Sequence, residues 1–274
     1  MRKIGAISAG IAMALWGVWA SSIGAAAAAT ARPAHAAGEK SADVAAASAT
    51  ASSAPPVIVV GLLGGWIHAD NCCDHIVQLT AQLNREYGAG VRAEIFENHQ
   101  RERARDKILA LLDRDSNGAL EADEKQAARI VIFGESWGAS ETVTLARELG
   151  QRGIPVMLTV QIDSVAKPGE NDTLTPANVA QAANFYQPNG ILHGRPEIRA
   201  EDASRTEVIG NFRFDYRRNP VPVRGASWFA RTFFRSHMSI ENDPVVWTRI
   251  EALIRSKLPA PAGAPQVASV GSPR

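Results

Sequence analysis

The sequence predicts an α/β protein built on a mostly parallel sheet with helices on both faces. Short apolar, β-branched runs near residues 57, 91, 129 and 154 alternate with helix-compatible segments. Parallel strands need a crossover between them, which is usually a helix, so this alternation is typical of such a sheet. A sharp Gly-Glu-Ser-Trp-Gly turn at 134–138 joins one of the strands directly to the next helix.

The two ends of the 274-residue chain are predicted to lie outside the folded domain, which we place at 57–258. A basic start, a long apolar run and an Ala-His-Ala site at 34–36 are typical of a signal peptide over 1–36. The run is long enough to span a bilayer, so an uncleaved membrane anchor is the alternative. We expect a secreted or periplasmic protein, or one anchored by its N-terminus. Composition predicts a flexible linker at 37–56 and a disordered tail at 259–274.

Charge and cysteine content exclude some functions. The formal net charge is +1, without the strong basic excess that nucleic-acid binding requires. The two cysteines, Cys72 and Cys73, are adjacent and cannot staple distant segments. We expect them to be two partly buried small side chains, with a strained bond between neighbours as the alternative.

The first half of the domain starts with a buried strand at Val57–Gly61. Gly64 and Gly65 follow it, and glycines here can bring backbone N–H groups close to a ligand. We then predict an amphipathic helix over 74–87, a strand at Val91–Glu97 and a helix over 99–112.

An acidic loop at 113–124 matches the calcium-loop pattern D-x-[DN]-x-[DN]-G-x₅-E at every defined position. The pattern predicts calcium coordination by side chains, by one backbone carbonyl and by a closing bidentate glutamate, with a glycine at the sharp turn. The loop resembles a single EF-hand-type loop between two helices, and without a second loop we expect a structural role. The predicted ligands are Asp113, Asp115, Asn117, the Ala119 carbonyl, Glu121 and Glu124.

The second half carries the sharp turn. A strand and a helix occupy about 129–152, with Ser136 at the bend, and this strand–turn–helix layout is that of a nucleophile elbow. A strand at Ile154–Ile162 ends in Asp163. Further strands are predicted at Ala182–Gln187 and Glu207–Asn211, and a last helix over 244–257.

These features in this order resemble the α/β-hydrolase superfamily over most of 57–258. The resemblance implies a triad in the chain order serine, acid, histidine. His237 and His193 are the histidines that follow Ser136. The superfamily places its base in the loop after the last strand and before the last helix, which is the position of His237 and not of His193.

The acid is less clearly marked. In most of the superfamily it follows the strand after next from the nucleophile, but no carboxylate follows 182–187. Asp163 ends the strand next to the nucleophile strand, with a proline five residues later, which is similar to pancreatic-type lipases. We therefore take Asp163 as the acid, with Asp202 as the alternative.

The resemblance also implies an oxyanion hole from the backbone N–H of Trp137 and of Gly65 or Trp66. The expected function is a serine hydrolase of small-molecule or lipid carboxylic esters, and the same triad also serves amidases, thioesterases and acyltransferases. A non-catalytic, calcium-stabilised binding protein on a hydrolase scaffold is the alternative. We expect the aromatic residues that precede His237 (Trp228, Phe229, Phe233 and Phe234) to pack in the core, with an acyl pocket or a lid as the alternative.

Overall fold

A computed structural model describes residues 55–65, 67–218, 221–222 and 232–261. The predicted signal peptide, almost all of the linker and most of the tail lie outside these residues, as do Trp66, Trp228 and Phe229. Within the described ranges no helix is long and apolar enough to cross a membrane.

A six-stranded parallel sheet forms the centre of the domain, as the sequence predicts. The strand order is β2-β1-β3-β4-β6-β8, and every neighbouring pair is parallel. The strands are β1 (Val57–Leu63), β2 (Val91–Glu97), β3 (Ile130–Glu135), β4 (Val156–Ile162), β6 (Val179–Tyr186) and β8 (Glu207–Arg213). Two short strands, β5 (Leu174–Thr175) and β7 (Arg199–Ala200), form a separate parallel pair that the sequence did not predict.

Helices cover both faces of this sheet. They are α1 (His75–Tyr87), α2 (Arg101–Leu112), α3 (Ala122–Gln126), α4 (Ser136–Gly150), α5 (Arg235–Glu241) and α6 (Pro244–Arg255), with a 3₁₀ turn at Gly88–Gly90. Residues alternate between faces along a strand. Val57 and Val59 of β1 accordingly pack with α1 and α6, while Ile58 and Val60 pack with α2 and α4. This layered arrangement is the α/β-hydrolase fold that the sequence resemblance implied.

The parallel strands place their carboxyl ends at one edge of the sheet, which is where ligands bind in open α/β sheets. Gly64 follows β1, Asn98 follows β2, Ser136 follows β3 and Asp163 follows β4. Residues from four separate stretches of sequence therefore meet at one edge.

The loop between β1 and α1 corrects one expectation. Cys72 and Cys73 are both exposed, not partly buried, and their Sγ atoms lie 3.9 Å apart as free thiols. The reason is that residues 68–73 all project into solvent, and the chain returns to the core only at Asp74, which caps α1 by accepting from the backbone N–H groups of Ile76 and Val77.

The close packing of α4 against β1 and β3 depends on two glycines. A Cβ at Gly138 would lie 2.1 Å from the carbonyl oxygen of Leu62, and one at Gly134 would lie 2.5 Å from the carbonyl oxygen of Gly138. Neither contact can exist, so only glycine lets the elbow helix approach the strands this closely.

We expect Gly138→Ala to lower the free energy of unfolding by about 2 to 3 kcal/mol, because a backbone carbonyl cannot yield space as a flexible side chain can. Gly90→Ala is the control, since its Cβ would meet the Pro259 ring at 3.4 Å, an ordinary contact. Urea denaturation of both variants measures the difference. Equal stability of the two variants would contradict the packing described.

Candidate active site

Ser136 lies at the bend between β3 and α4 in a strained backbone conformation. Its φ is +52°, in the left-handed region that side chains other than glycine rarely adopt. The strand before it and the helix after it are both buried, so the surrounding structure fixes this conformation. The hydroxyl is thereby held at the carboxyl edge of the sheet.

The structure brings Ser136, His237 and Asp163 into one hydrogen-bonded chain. His237 Nε2 lies 2.9 Å from Ser136 Oγ, and His237 Nδ1 lies 2.6 Å from Asp163 Oδ2. All three side chains are buried. A nucleophile, a base and a carboxylate that orients the base are the parts that nucleophilic catalysis by serine requires.

Asp163 is held by four donors, counting His237. The backbone N–H groups of Gln187 and Gly194 donate to its Oδ1 at 2.9 and 2.8 Å, and Gln187 Nε2 donates to its Oδ2 at 2.8 Å. A fully buried carboxylate needs such partners to remain ionised. Gln187 follows β6, and its amide supports the carboxylate that follows the neighbouring strand β4.

The alternative residues for the triad, Asp202 and His193, lie away from Ser136. Asp202 is exposed and accepts hydrogen bonds from Ser204, both from its backbone N–H and from its hydroxyl. His193 is also exposed. The hydrogen-bonded chain to Ser136 includes neither of them.

His237 lies within the short helix α5, whereas the sequence placed it in a loop. The next helix is anchored close by, since Asp243 accepts from Tyr216 Oη at 2.7 Å and from the backbone N–H of Val245 at 2.8 Å. Tyr216 was not predicted as part of this region because the contact joins residues far apart in sequence. Of the aromatic residues that precede the histidine, Phe233 is 39% exposed, so it does not pack wholly in the core as we expected.

A second carboxylate contacts the same histidine. Glu241 Oε1 lies 3.1 Å from His237 Nε2, one helical turn further along α5. A carboxylate oxygen beside this nitrogen is favourable only when the nitrogen carries a proton, because an accepting nitrogen would repel it. Sequence reasoning missed Glu241, although its i, i+4 spacing from His237 is the signal that could have found it.

These contacts change the proton affinity of His237. Burial opposes its protonation, but the carboxylates of Glu241 and Asp163 outweigh burial and raise the pKa of His237 to about 10. Because the folded-state pKa is raised, the interaction stabilises the fold fully below pH 6.5, and this stability is lost as the pH rises through about 10.

A further acid pair lies beside the site. Burial raises the pKa of Glu135 well above its usual value, and the carboxyl groups of Asp74 and Glu241 add to the rise. Burial also raises the pKa of the neighbouring Asp74 carboxyl group, because two carboxyl groups that lie close together away from water disfavour each other's ionisation. Burial therefore favours the neutral form of the carboxyl group that immediately precedes Ser136.

Two of the predicted oxyanion donors, Gly65 and Trp137, lie within the described residues. Gly65 lies against the indole of Trp137, and its backbone N–H has no hydrogen-bond partner among the described residues. The backbone N–H of Trp137 belongs to the first turn of α4, where such groups point out of the helix and favour negative charge. Trp66 lies outside the described residues.

The acidic loop at 113–124 gathers several of its predicted calcium ligands. Carboxylate oxygens of Asp113, Asp115 and Glu124 lie within 4.8 Å of one another. Gly118 has φ +83°, as the sharp turn of such a loop requires. Asp113 also accepts from the backbone N–H groups of Asn117 and Gly118, which bends the loop around its carboxylate.

The other predicted ligands are placed differently. The Asn117 Nδ2 donates to Asp115 Oδ2 at 2.9 Å and faces the Glu121 carboxylate, while its Oδ1 accepts from the Ala119 N–H. A neutral amide donor thus lies among the carboxylates, in the place that a cation would occupy. A half-turn of this amide would present Oδ1 instead, so the residues present fit a hard cation.

No protein-family model and no curated protein matches the sequence. The similar proteins are all solved structures. The chain is similar to a dienelactone hydrolase-like promiscuous phosphotriesterase from metagenomic libraries, at 14% identity over 76% of this chain and 89% of that one, with a TM-score of 0.39. It is also similar to an esterase of Pyrobaculum calidifontis, at 13% identity over 75% and 78%, with a TM-score of 0.40. A third similar structure is an α/β serine hydrolase without a lid from Xanthomonas campestris, at 12% identity over 76% and 86%, with a TM-score of 0.30. The fold class given above rests on strand order and register.

We expect Glu241→Gln to lower the pKa of His237, because it removes one of the two carboxylates that favour the imidazolium. An NMR titration of the His237 ring should give a midpoint near 10 in the wild type and a lower midpoint in the variant. Glu207→Gln, on the edge strand β8, is the control and should leave the midpoint unchanged. A wild-type midpoint near 6.5 would contradict the electrostatics described here.

Proposed function

We propose that this protein is a serine hydrolase that cleaves carboxylic esters through an acyl-enzyme. Ser136 is the nucleophile, His237 the general base and Asp163 the acid that orients the base. The observation that carries the proposal is the buried chain from Ser136 Oγ through His237 to Asp163, with contacts of 2.9 and 2.6 Å, ending on a serine with φ +52°.

Acylation would begin with transfer of the Ser136 proton to His237 Nε2 as Oγ attacks the ester carbonyl carbon. The carbonyl π electrons would move to oxygen, and the N–H groups of Gly65 and Trp137 would donate to that oxyanion. When the tetrahedral intermediate collapses, His237 returns the proton to the departing alkoxide, which leaves as an alcohol. Ser136 is then esterified.

Deacylation repeats these steps with water. His237 removes a proton from a water molecule, the hydroxide attacks the acyl carbon, and the proton passes to Ser136 Oγ as the acid product leaves. Asp163 stays ionised throughout and fixes the tautomer in which Nδ1–H points to it.

Glu241 gives this site an unusual pH dependence. The base must be neutral to accept the Ser136 proton, yet Glu241 and Asp163 favour its charged form. The hydrolysis rate should therefore rise with pH through the alkaline range. In the transition state the same carboxylates stabilise the imidazolium as it forms, so the ground-state cost is partly offset.

Ser136→Ala should abolish ester hydrolysis, because no other group replaces the nucleophile, while leaving the melting temperature within a few degrees of wild type. A panel of p-nitrophenyl esters, thioesters and anilides measures activity and ranks the leaving groups, and a fluorophosphonate probe measures covalent labelling. Ser204→Ala, on an exposed turn, is the control and should hydrolyse and label as the wild type does.

The outcomes separate the candidate functions. Labelling of the wild type that is lost in both Ser136→Ala and His237→Ala supports the proposed triad. Thioester or anilide cleavage faster than ester cleavage would move the proposal to a thioesterase or an amidase. A wild type that neither labels nor cleaves any member of the panel contradicts the proposal and favours the non-catalytic scaffold.

We also propose that calcium binds the loop at 113–124 as a structural ion. Asp113, Asp115 and Glu124 supply the carboxylates, and Asn117, Ala119 and Glu121 complete the set. The positive charge of the ion would neutralise the carboxylates of this acidic loop. It would brace α2 against α3, four residues before β3 begins, and take no part in the chemistry at Ser136.

Calcium should raise the melting temperature of the metal-free protein by several degrees at 100 times its dissociation constant, where binding contributes about 2.7 kcal/mol. Asp115→Asn should remove most of this shift because it removes a ligand charge. Asp123→Asn should retain it, because Asp123 is an exposed residue of α3 that pairs with Arg114 and is absent from the ligand pattern. Identical melting of the wild type with calcium and with chelator would contradict the proposal.

A further inference from the structure

We propose that Asn98 is a positioning residue of the oxyanion hole, and that Lys167 and Glu141 hold Asn98 in place. The inference rests on the proposed function and extends it to residues that do not touch the substrate. The sequence indicated no residue of this set, because the contacts join residues that lie 26 to 69 positions apart in the chain.

The side-chain amide of Asn98 holds the glycine loop after β1. Its Nδ2 donates to the carbonyl oxygens of Gly64 at 2.9 Å and Gly65 at 3.0 Å, and the side chain is buried. An amide nitrogen has two hydrogens, so both are used on two successive carbonyls. Rotation of the loop would break both bonds together.

This pair of bonds sets the direction of an N–H group. The carbonyl of Gly64 and the N–H of Gly65 belong to one planar trans peptide unit, in which they point to opposite sides. Because the Gly64 carbonyl is held toward Asn98, the Gly65 N–H is turned away from it. That N–H is the unpartnered donor described above, and a Cβ at Gly64 would lie 3.3 Å from the Cβ of Ser136.

Asn98 is in turn held by a partly buried ion network. Lys167 Nζ donates to the Asn98 carbonyl oxygen at 2.8 Å and pairs with Glu141, whose side chain is almost fully buried. Arg101 pairs with the other oxygen of Glu141 and with Glu148. The buried charge of Glu141 thus has two opposite partners, which is the condition under which such a network rigidifies its surroundings.

The network links the three parts that the proposed reaction needs. Glu141 lies on α4, five residues after the nucleophile. Lys167 lies in the loop after β4, four residues after the triad acid. Asn98 holds the loop that carries the oxyanion donor. A shift of any one part would be transmitted to the others through Lys167.

The effect should fall on the transition state. A substrate carbonyl gains negative charge on oxygen only as Ser136 attacks, so a misdirected Gly65 N–H loses most of its value at that point. Loss of Asn98 should therefore lower kcat and leave KM nearly unchanged.

Asn98→Asp tests this with a side chain of the same size, because it places a carboxylate oxygen against two carbonyl oxygens. We expect kcat for the best ester to fall about 10- to 100-fold, with KM within about two-fold of wild type. The inhibition constant of phenylboronic acid, whose adduct with Ser136 carries the oxyanion, should rise by a similar factor.

The matched control is Asn178→Ala. Asn178 Nδ2 also donates to two backbone carbonyls, those of Ala146 and Ile154, both at 2.9 Å, but it precedes β6 at the opposite edge of the sheet. Its loss should lower stability without changing kcat. If Asn98→Asp does not fold, Lys167→Met serves instead and should lower kcat with KM unchanged, since the Asn98 amide itself remains.

The results separate the two proposals. An active wild type whose kcat and boronate affinity are unchanged by Asn98→Asp, or by Lys167→Met where that variant is used, overturns this inference alone. An equal fall of kcat in Asn178→Ala also overturns it, because the effect would then follow general stability. A wild type inert toward every ester and probe overturns the proposed function and this inference with it.

Discussion

The contact between Asp163 and His237 is the interaction on which the rest of the site depends. It joins two buried groups from distant parts of the chain at 2.6 Å, and burying either charge alone would cost several kcal/mol. The gain from pairing requires that the remaining lone pairs be satisfied, which Gln187 and Gly194 do. The loops after β4 and β6 and the helix α5 are thus fixed together, and the histidine can reach Ser136 only in that arrangement.

Each ring nitrogen of His237 contacts a carboxylate. Asp163 contacts Nδ1 and Glu241 contacts Nε2, while Glu135 and Asp74 form a neighbouring acid pair. A single imidazole therefore contacts two carboxylates, and both of them favour its protonated form. Such a site favours a protonated histidine at rest, and this is the physical link between the packing of α5 and the expected alkaline activity.

Rigidity at the carboxyl edge comes from two sources. Below the site, Gly134 and Gly138 allow close backbone-to-backbone contact between the strands and α4. The turn at Ser136 therefore cannot move without disrupting the packing of the core. Beside it, the pairs made by Glu141 with Lys167 and Arg101 join α4 to the loop after β4 and to the start of α2. Steric exclusion fixes the position of Ser136, and ion pairs fix the loops beside it. These two constraints suit the proposed reaction, in which Ser136 Oγ attacks the substrate while the surrounding groups keep their positions.

The sequence by itself determined the alternation of strands and helices, the elbow at Ser136 and the acidic loop, because each depends on residues close together in the chain. It favoured Asp163 over Asp202 as the acid only through a resemblance, since that choice depends on which strand end lies beside the histidine. Tertiary structure alone decided the exposure of the adjacent cysteines and revealed Gln187, Glu241 and Asn98. Contacts between separate strand ends exist only after the sheet has formed, and no local pattern encodes them.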